Sequence, residues 1–168
     1  MIETERLILR KMTYEDFPDL KKILSDIEVM YAWEHAFSDD EVTNWINNQI
    51  KRYEETGIGF LLAIEKITKQ VVGQVGLIRE KINGQEYWGI GYIFNKVHWG
   101  KGYATEAAKG CMDYAVNILH ADQVICDIRP ENTRSIAVAK RLGMEQSGEH
   151  IRNYNGKDMP HIIFVRRK

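Results

Sequence analysis

At 168 residues, with 44% hydrophobic and 28% charged side chains, the chain has the balance of a globular protein long enough to bury about two-thirds of its unfolded surface in one core. Its formal net charge of −1 gives no general attraction to nucleic acid or acidic membranes, so neither is an expected partner and any ligand must be recognised locally. Its two cysteines show no CxxC pairing and its five histidines no ligand spacing, which excludes a disulfide framework and leads us to expect no metal.

The chain opens MIETERLILRK, with charges at positions 3, 5 and 6 and no apolar run of signal-peptide length. No later segment approaches about 18 apolar residues. A cytoplasmic protein is therefore expected. No repeat, low-complexity stretch or linker interrupts the sequence, which predicts a single domain over residues 1–168.

Residues 4 to 10 alternate as a strand does, with Leu7 and Leu9 on one face. Thr13-Tyr14-Glu15-Asp16 then offers an N-cap and an acidic first turn for a helix running to about Ser25. Its apolar face is Phe17, Leu20, Ile23, Leu24 and Ile27, spaced three or four apart. A second helix is announced by Ser38-Asp39-Asp40-Glu41, a capping box, and is ended near Glu55 by Gly57. Residues 60 to 64, 71 to 78 and 87 to 94 read as three successive strands, with Asn83-Gly84 a hairpin signal between the last two.

Ala104, Ala107, Ala108, Cys111, Ala115 and Ile118 form a helical stripe of small residues that implies close approach to a sheet. Residues 124 to 128 are the next strand, Asn132 caps a short helix ending at Gly143, and two last strands flank Asn155-Gly156. The order is β-α-α-β-β-β-α-β-α-β-β, a mixed, mostly antiparallel α/β sheet. The strand-loop-helix-strand unit from Tyr87 to Ile128 supplies one parallel crossover. Cys111 and Cys126 read as small core residues, with a reactive thiol as the alternative.

The most informative stretch is residues 88 to 109, WGIGYIFNKVHWGKGYATEAAK, where a strand meets a glycine-punctuated turn that opens into a helix. A helix start has about four N–H groups without intrahelical partners and roughly half a positive charge, so it binds anions. The spacing is neither GxxxxGK[ST] nor GxGxxG, which excludes the Walker A and dinucleotide fingerprints. What remains, Trp99-Gly100-Lys101-Gly102-Tyr103-Ala104-Thr105-Glu106-Ala107, resembles the coenzyme A pyrophosphate loop of the GNAT superfamily of N-acetyltransferases. With Trp99 where most members carry Gln or Arg, it is similar to the branch that includes the ribosomal-protein N-terminal acetyltransferases.

The resemblance extends to a second segment. Residues 129 to 144, RPENTRSIAVAKRLGM, are similar to the NxxSxxxxxKxGF signature, with Met144 in the aromatic position. The element order also matches the GNAT fold. The resemblance implies acetyl-CoA as co-substrate, its pyrophosphate on the backbone of residues Gly100 to Thr105. It implies pantetheine along Phe94 and Asn95 on a strand that splays from its neighbour, with one N–H facing the oxyanion. Asn132 and Ser135 would contact the acetyl-CoA amides or the departing sulfur, and both also suit a helix cap.

Asp127 is the candidate general base, because Asp-Ile-Arg-x-x-Asn resembles the Glu-Val-Arg-x-x-Asn of some relatives; pairing with Arg129 or Arg152 is the structural alternative. The tyrosine that protonates the thiolate in many relatives falls at Ala139, leaving Tyr103 or Tyr154 for that role, or none. The acceptor is expected between the first two helices, at Tyr31, Trp33 and Glu34, and on the last hairpin, at Tyr154. Those aromatic residues equally suit covering the sheet, and Glu34 suits an ammonium. Pro160 stands where the branch usually has aspartate, and His161 reads as structural.

The implied reaction is direct attack by an amine, of a protein N-terminus or of a small molecule such as an antibiotic, polyamine or amino acid. A coenzyme A sensor without catalysis is the alternative of another class. A homodimer is implied by the resemblance alone.

Overall fold

The computed structural model describes all 168 residues. Its elements are β1 (Ile2–Glu3), β2 (Leu7–Lys11), α1 (Phe17–Leu24), α2 (Asp39–Thr56), β3 (Phe60–Glu65), β4 (Val71–Ile82), β5 (Gln85–Phe94), α3 (Tyr103–Asn117), β6 (Gln123–Ile128), α4 (Thr133–Arg141), β7 (Glu145–Tyr154) and β8 (Lys157–Arg167). The strands form one sheet in the order β1-β2-β3-β4-β5-β6-β8-β7, and β5 and β6 are the parallel pair. No helix is long and apolar enough to cross a membrane.

Local chemistry accounts for most boundaries. Ser38 accepts from the Glu41 N–H at 3.2 Å while Glu41 accepts from the Ser38 N–H at 2.8 Å, closing the box that starts α2. Gly57 ends that helix at φ +78°, as a left-handed C-cap requires. Asn83 and Gly84, at φ +50° and +82°, make the two-residue turn whose twist matches the β4–β5 hairpin.

Several boundaries differ from the sequence reading: β4 runs on to Ile82 and β5 begins at Gln85. Thr4 turns the chain back on Leu7, so the first strand divides into β1 and β2. Thr13 and Asp16 form a capping box on a 3-10 turn, and α1 starts only at Phe17, next to Pro18. Ile27 and Ile118 lie beyond the helices to which their spacing assigned them, 53% and 59% exposed.

The two sheet faces carry separate cores. Ala107, Ala108, Cys111 and Ala115 of α3 lie fully buried on one face beside Val138 and Ala139 of α4. Their small side chains bring the helix axis close to the sheet. Leu20, Ile23, Val42 and Ile46 of α1 and α2 cover the other face with Phe60, Leu62 and Ile93. Burial pushes both cysteine thiols up to about 12, which removes the reactive-thiol alternative.

One irregularity positions the site. β5 and β6 pair only at Trp88 with Val124 and Gly89 with Ile125, and beyond that point the strands separate. The Asn95 N–H donates to the Val72 carbonyl at 3.0 Å, so by antiparallel alternation odd-numbered residues of β5 address β4. Tyr92 and Phe94 turn their backbone groups toward the opening.

Candidate active site

At one end of the opening, Gly100 and Gly102 hold φ of +77° and +81°, conformations that residues with a Cβ rarely adopt. The N–H groups of Gly100, Lys101, Gly102, Tyr103, Ala104 and Thr105 have no acceptor within the protein. Consecutive free donors at the positive end of a 15-residue helix suit an anion. The residues present therefore fit a diphosphate.

A second set of contacts, absent from the sequence reading, fixes that loop. Glu106 accepts from the Thr4 hydroxyl at 2.6 Å, the Arg6 N–H at 2.7 Å and Arg6 Nε at 2.7 Å. Arg6 also donates to the Lys101 carbonyl at 2.8 Å and lies 4.6 Å from the centre of the Tyr103 ring. Burial pushes the Glu106 carboxyl up, but the Thr4 and Arg6 donors outweigh it and hold the group below the usual range. Arg6→Ala is expected to weaken coenzyme A binding about tenfold, equivalent to ~1.4 kcal/mol, when titrated by calorimetry. Unchanged affinity would show that the loop keeps its shape without the clamp.

Along the splayed edge, Trp99 spans from the loop to the strand. Its indole donates to the Phe94 carbonyl at 2.9 Å, and the Arg134 guanidinium stacks 4.0 Å from its ring. Phe94 is 6% exposed and its side chain belongs to the core, leaving its N–H directed to the opening. Asn95 corrects the expectation placed on it. Its N–H is committed to Val72, its carbonyl accepts from His98, and its side chain caps the 3-10 turn Lys96–His98.

Asn132 accepts from the Ser135 N–H at 3.2 Å, so the capping role is real, and it also accepts from the Tyr31 hydroxyl at 2.5 Å. Ser135 and Asn132 both line the cleft. Ala139 is fully buried and offers no group there. Sequence reasoning missed Tyr92, whose hydroxyl donates to the Ser135 carbonyl at 2.8 Å. Burial pushes its pKa well above the ordinary tyrosine value, so it stays protonated beside the opening. Tyr103 is held under Arg6 at the loop, and Tyr154 stacks 6.3 Å from His35 on the hairpin side.

Asp127 faces the cleft, but both of its oxygens are taken. His150 Nε2 donates to Oδ1 at 2.6 Å and Arg152 Nε donates to Oδ2. The side chain is 9% exposed, and each oxygen already holds a donor where an acceptor amine would have to bind. Asp127 thus departs from the expectation of a free carboxylate, and of the two structural alternatives its partner is Arg152. Arg152 also donates from Nη2 to Glu80 Oε2 at 2.5 Å, bringing in a second carboxylate that sequence reasoning overlooked.

Tyr31, Trp33 and Tyr154, the residues assigned to the acceptor in the sequence, line the cleft with Trp45, Phe60 and Met159. Glu34 departs from expectation. Lys157 Nζ donates to both of its oxygens at 2.8 Å and Arg129 lies 3.6 Å away. The Lys157 hydrogen bond holds its carboxyl below the usual range. Its charge is already neutralised, and it latches the segment before α2 to the β7–β8 hairpin. His161 donates from Nδ1 to the Met159 carbonyl at 2.9 Å, a positioning contact. The cleft joining loop and hairpin encloses about 1340 Å³.

Residues 6–145 match the family model described as acetyltransferase (GNAT) domain. The uncharacterized protein YkkB of Bacillus subtilis (strain 168) is 34% identical over 153 residues, covering 90% of this chain and 88% of YkkB. A GNAT-family acetyltransferase from Bacillus anthracis superposes with a TM-score of 0.84 at 25% identity, over 99% of this chain and 97% of that one. The fold recurs in a ribosomal-protein-S5-alanine acetyltransferase of Vibrio fischeri at TM-score 0.78 and 17% identity, over 98% and 94% of the two chains. It recurs also in a spermidine N-acetyltransferase of Vibrio cholerae, solved with CoA and spermine, at TM-score 0.77 and 20% identity, over 96% and 95%.

Proposed function

The chain belongs to the GNAT acetyltransferase family, and from that membership we propose that it transfers acetyl from acetyl-CoA to a single amine, that of a protein N-terminus. The observation that carries this choice of acceptor is the state of the carboxylates on the acceptor side. Asp127 is held by His150 and Arg152, Glu34 by Lys157 and Arg129, and Glu80 through one oxygen by Arg152. One carboxylate oxygen, Glu80 Oε1, has no partner. A polyamine brings several cations, each needing a counter-charge on leaving water, whereas a peptide α-amine brings one. The aromatic walls of Tyr31, Trp33, Trp45 and Tyr154 suit the apolar part of such a chain end.

The diphosphate of the co-substrate is held on the N–H groups of Gly100 to Thr105, and its thioester arm runs along Tyr92 and Phe94. Acetyl-CoA supplies the activated carbonyl; the protein holds the amine against it and excludes competing water. Transfer is direct within a ternary complex. Both thiols are buried with pKa values of about 12, and no Cys-His pair exists to form an acyl-enzyme. An α-amine has a pKa near 8 against about 10.4 for lysine, so it needs the lesser help from a base.

The test is thiol release from acetyl-CoA across a panel of N-terminal peptides, polyamines and aminoglycosides. Peptide-dependent release is expected to exceed release with spermine by at least about tenfold, the consequence of ~1.4 kcal/mol per unmatched cation. A preference for spermine would overturn the peptide acceptor, and coenzyme A binding without release to any amine would overturn catalysis.

A further inference from the structure

Gly89 and Glu80 meet at the point where β5 parts from β6. Glu80 stands on β4, opposite Tyr87 and diagonal to Gly89, and a Cβ built on Gly89 would lie 2.6 Å from Glu80 Cγ. The missing side chain at 89 is what lets the Glu80 side chain lie across β5. Gly89 is also the last β5 residue paired with β6, so the carboxylate rests beside the start of the splay. Its side chain is 15% exposed, and it lines the same cleft as the glycine loop.

We propose that Glu80, rather than Asp127, is the residue that takes the proton from the acceptor amine, a role that rests on the acetyltransferase reading above. The two carboxylates share Arg152 but differ in what remains free. Asp127 has a donor on each oxygen, while Glu80 binds Arg152 through Oε2 alone and keeps Oε1 unpartnered. Glu80, Asp127 and Arg152 together carry one net negative charge before His150 is counted. An arriving ammonium supplies the complement.

In the step assigned here, Oε1 accepts one proton from the ammonium. The freed nitrogen lone pair forms the C–N bond with the thioester carbonyl carbon. The C–S bond then breaks, its electron pair leaves on sulfur, and the adduct's remaining excess proton goes to the thiolate. The proton on Glu80 passes to water, restoring the carboxylate.

Other groups set the field around Glu80. They are Tyr87 on β5, Asp127 on β6, Arg152 and His150 on β7, and His161 on β8, whose ring centroid is 5.8 Å from that of His150. Arg79 is turned to the opposite face, over the Trp88 ring at 4.3 Å, and does not enter.

The experiment compares Glu80→Gln, Glu80→Asp and Asp127→Asn with the parent, using whichever panel amine the parent acetylates. Thermal melting and coenzyme A titration report whether each variant is folded and loaded. Glu80→Gln keeps the shape and an oxygen for Arg152, and is expected to lower kcat/KM by about 10² or more with coenzyme A affinity unchanged. Its deficit should be greatest at low pH, where the amine is most protonated, and should shrink as pH approaches the amine's own pKa. Glu80→Asp should recover part of the rate. Asp127→Asn should cost less and leave the shape of the profile unaltered. A folded, coenzyme A-binding Glu80→Gln with parental rate and profile would overturn the role of Glu80 alone. A folded parent that acetylates no amine in the panel would overturn the acetyltransferase reading, and this role with it.

Discussion

Gly102→Val is expected to abolish coenzyme A binding, raising Kd at least about a hundredfold, or ~2.7 kcal/mol, while the protein still melts cooperatively. Two effects add. Gly102 holds φ +81° as the N-cap of α3, and a β-branched residue there costs on the order of 1–3 kcal/mol, relieved only if the loop moves. The new Cβ would also stand 3.3 Å from Arg6 Nη2. The guanidinium that bonds Glu106 and the Lys101 carbonyl must then give by a few tenths of an ångström, which adds a smaller disturbance to the backbone strain. The proposed site consists of backbone N–H groups, so a change in loop conformation would remove it entirely, whereas losing one side-chain ligand would only weaken it. Calorimetric titration with coenzyme A measures the loss, and parental affinity would sink the assignment of this loop to the diphosphate.

That loop was readable in the sequence because everything it needs is local. Gly100, Gly102 and the start of α3 are adjacent in the chain, and helix termini have the same electrostatics in any fold. The same locality made the Ser38-Glu41 box, the Gly57 cap and the Asn83-Gly84 turn readable. Where the first helix was misjudged, tertiary context decided. Asp16 bonds back to the Thr13 N–H at 2.7 Å and to Arg10 of β2 at 2.7 and 2.9 Å, which fixes a 3-10 turn ahead of Phe17. Ile27 keeps helical spacing, but the chain has already turned at Ser25.

The acceptor side was not readable in the same way. Asp127, Glu80 and Arg152 come from β6, β4 and β7, and only the sheet order places them together. Sequence alone showed Asp127 to be a carboxylate on a strand in a suggestive context; its two donors arrive from 23 and 25 residues away. Glu34 illustrates the same limit, since Lys157, 123 residues distant, neutralises it. One signal pointed to Glu80. Alternation along β4 puts it on the face of Gly76 and Ile78, where a charge is unexpected, and two glycines on β5 mark a close approach on that face.

Phe60→Ala is expected to be the most damaging single truncation in the core beneath the acceptor. The ring is 5% exposed and packs edge-on to Trp45 at 5.0 Å between centroids. A Cβ at Gly91 would lie 2.7 Å from its Cζ, and one at Gly76 2.7 Å from its Cα, so the ring is what fills the space over those glycines. Neither glycine has a side chain that could relax into the cavity. The loss should therefore fall in the upper part of the usual range of about 3–5 kcal/mol for Phe→Ala, a drop in Tm of roughly 10 °C for a chain of this size. A melting temperature within a degree of the parent would show that the site collapses. The functional consequence should be one-sided. Phe60 belongs to the core of α1 and α2 and lines the cleft, while α3 packs on the other face. Coenzyme A affinity should stay within about twofold, and KM for the amine should rise about tenfold, or ~1.4 kcal/mol, because the wall that confines the acceptor has gone. Equal losses on both substrates would instead mean that the two faces of the sheet are mechanically coupled through Gly76 and Gly91.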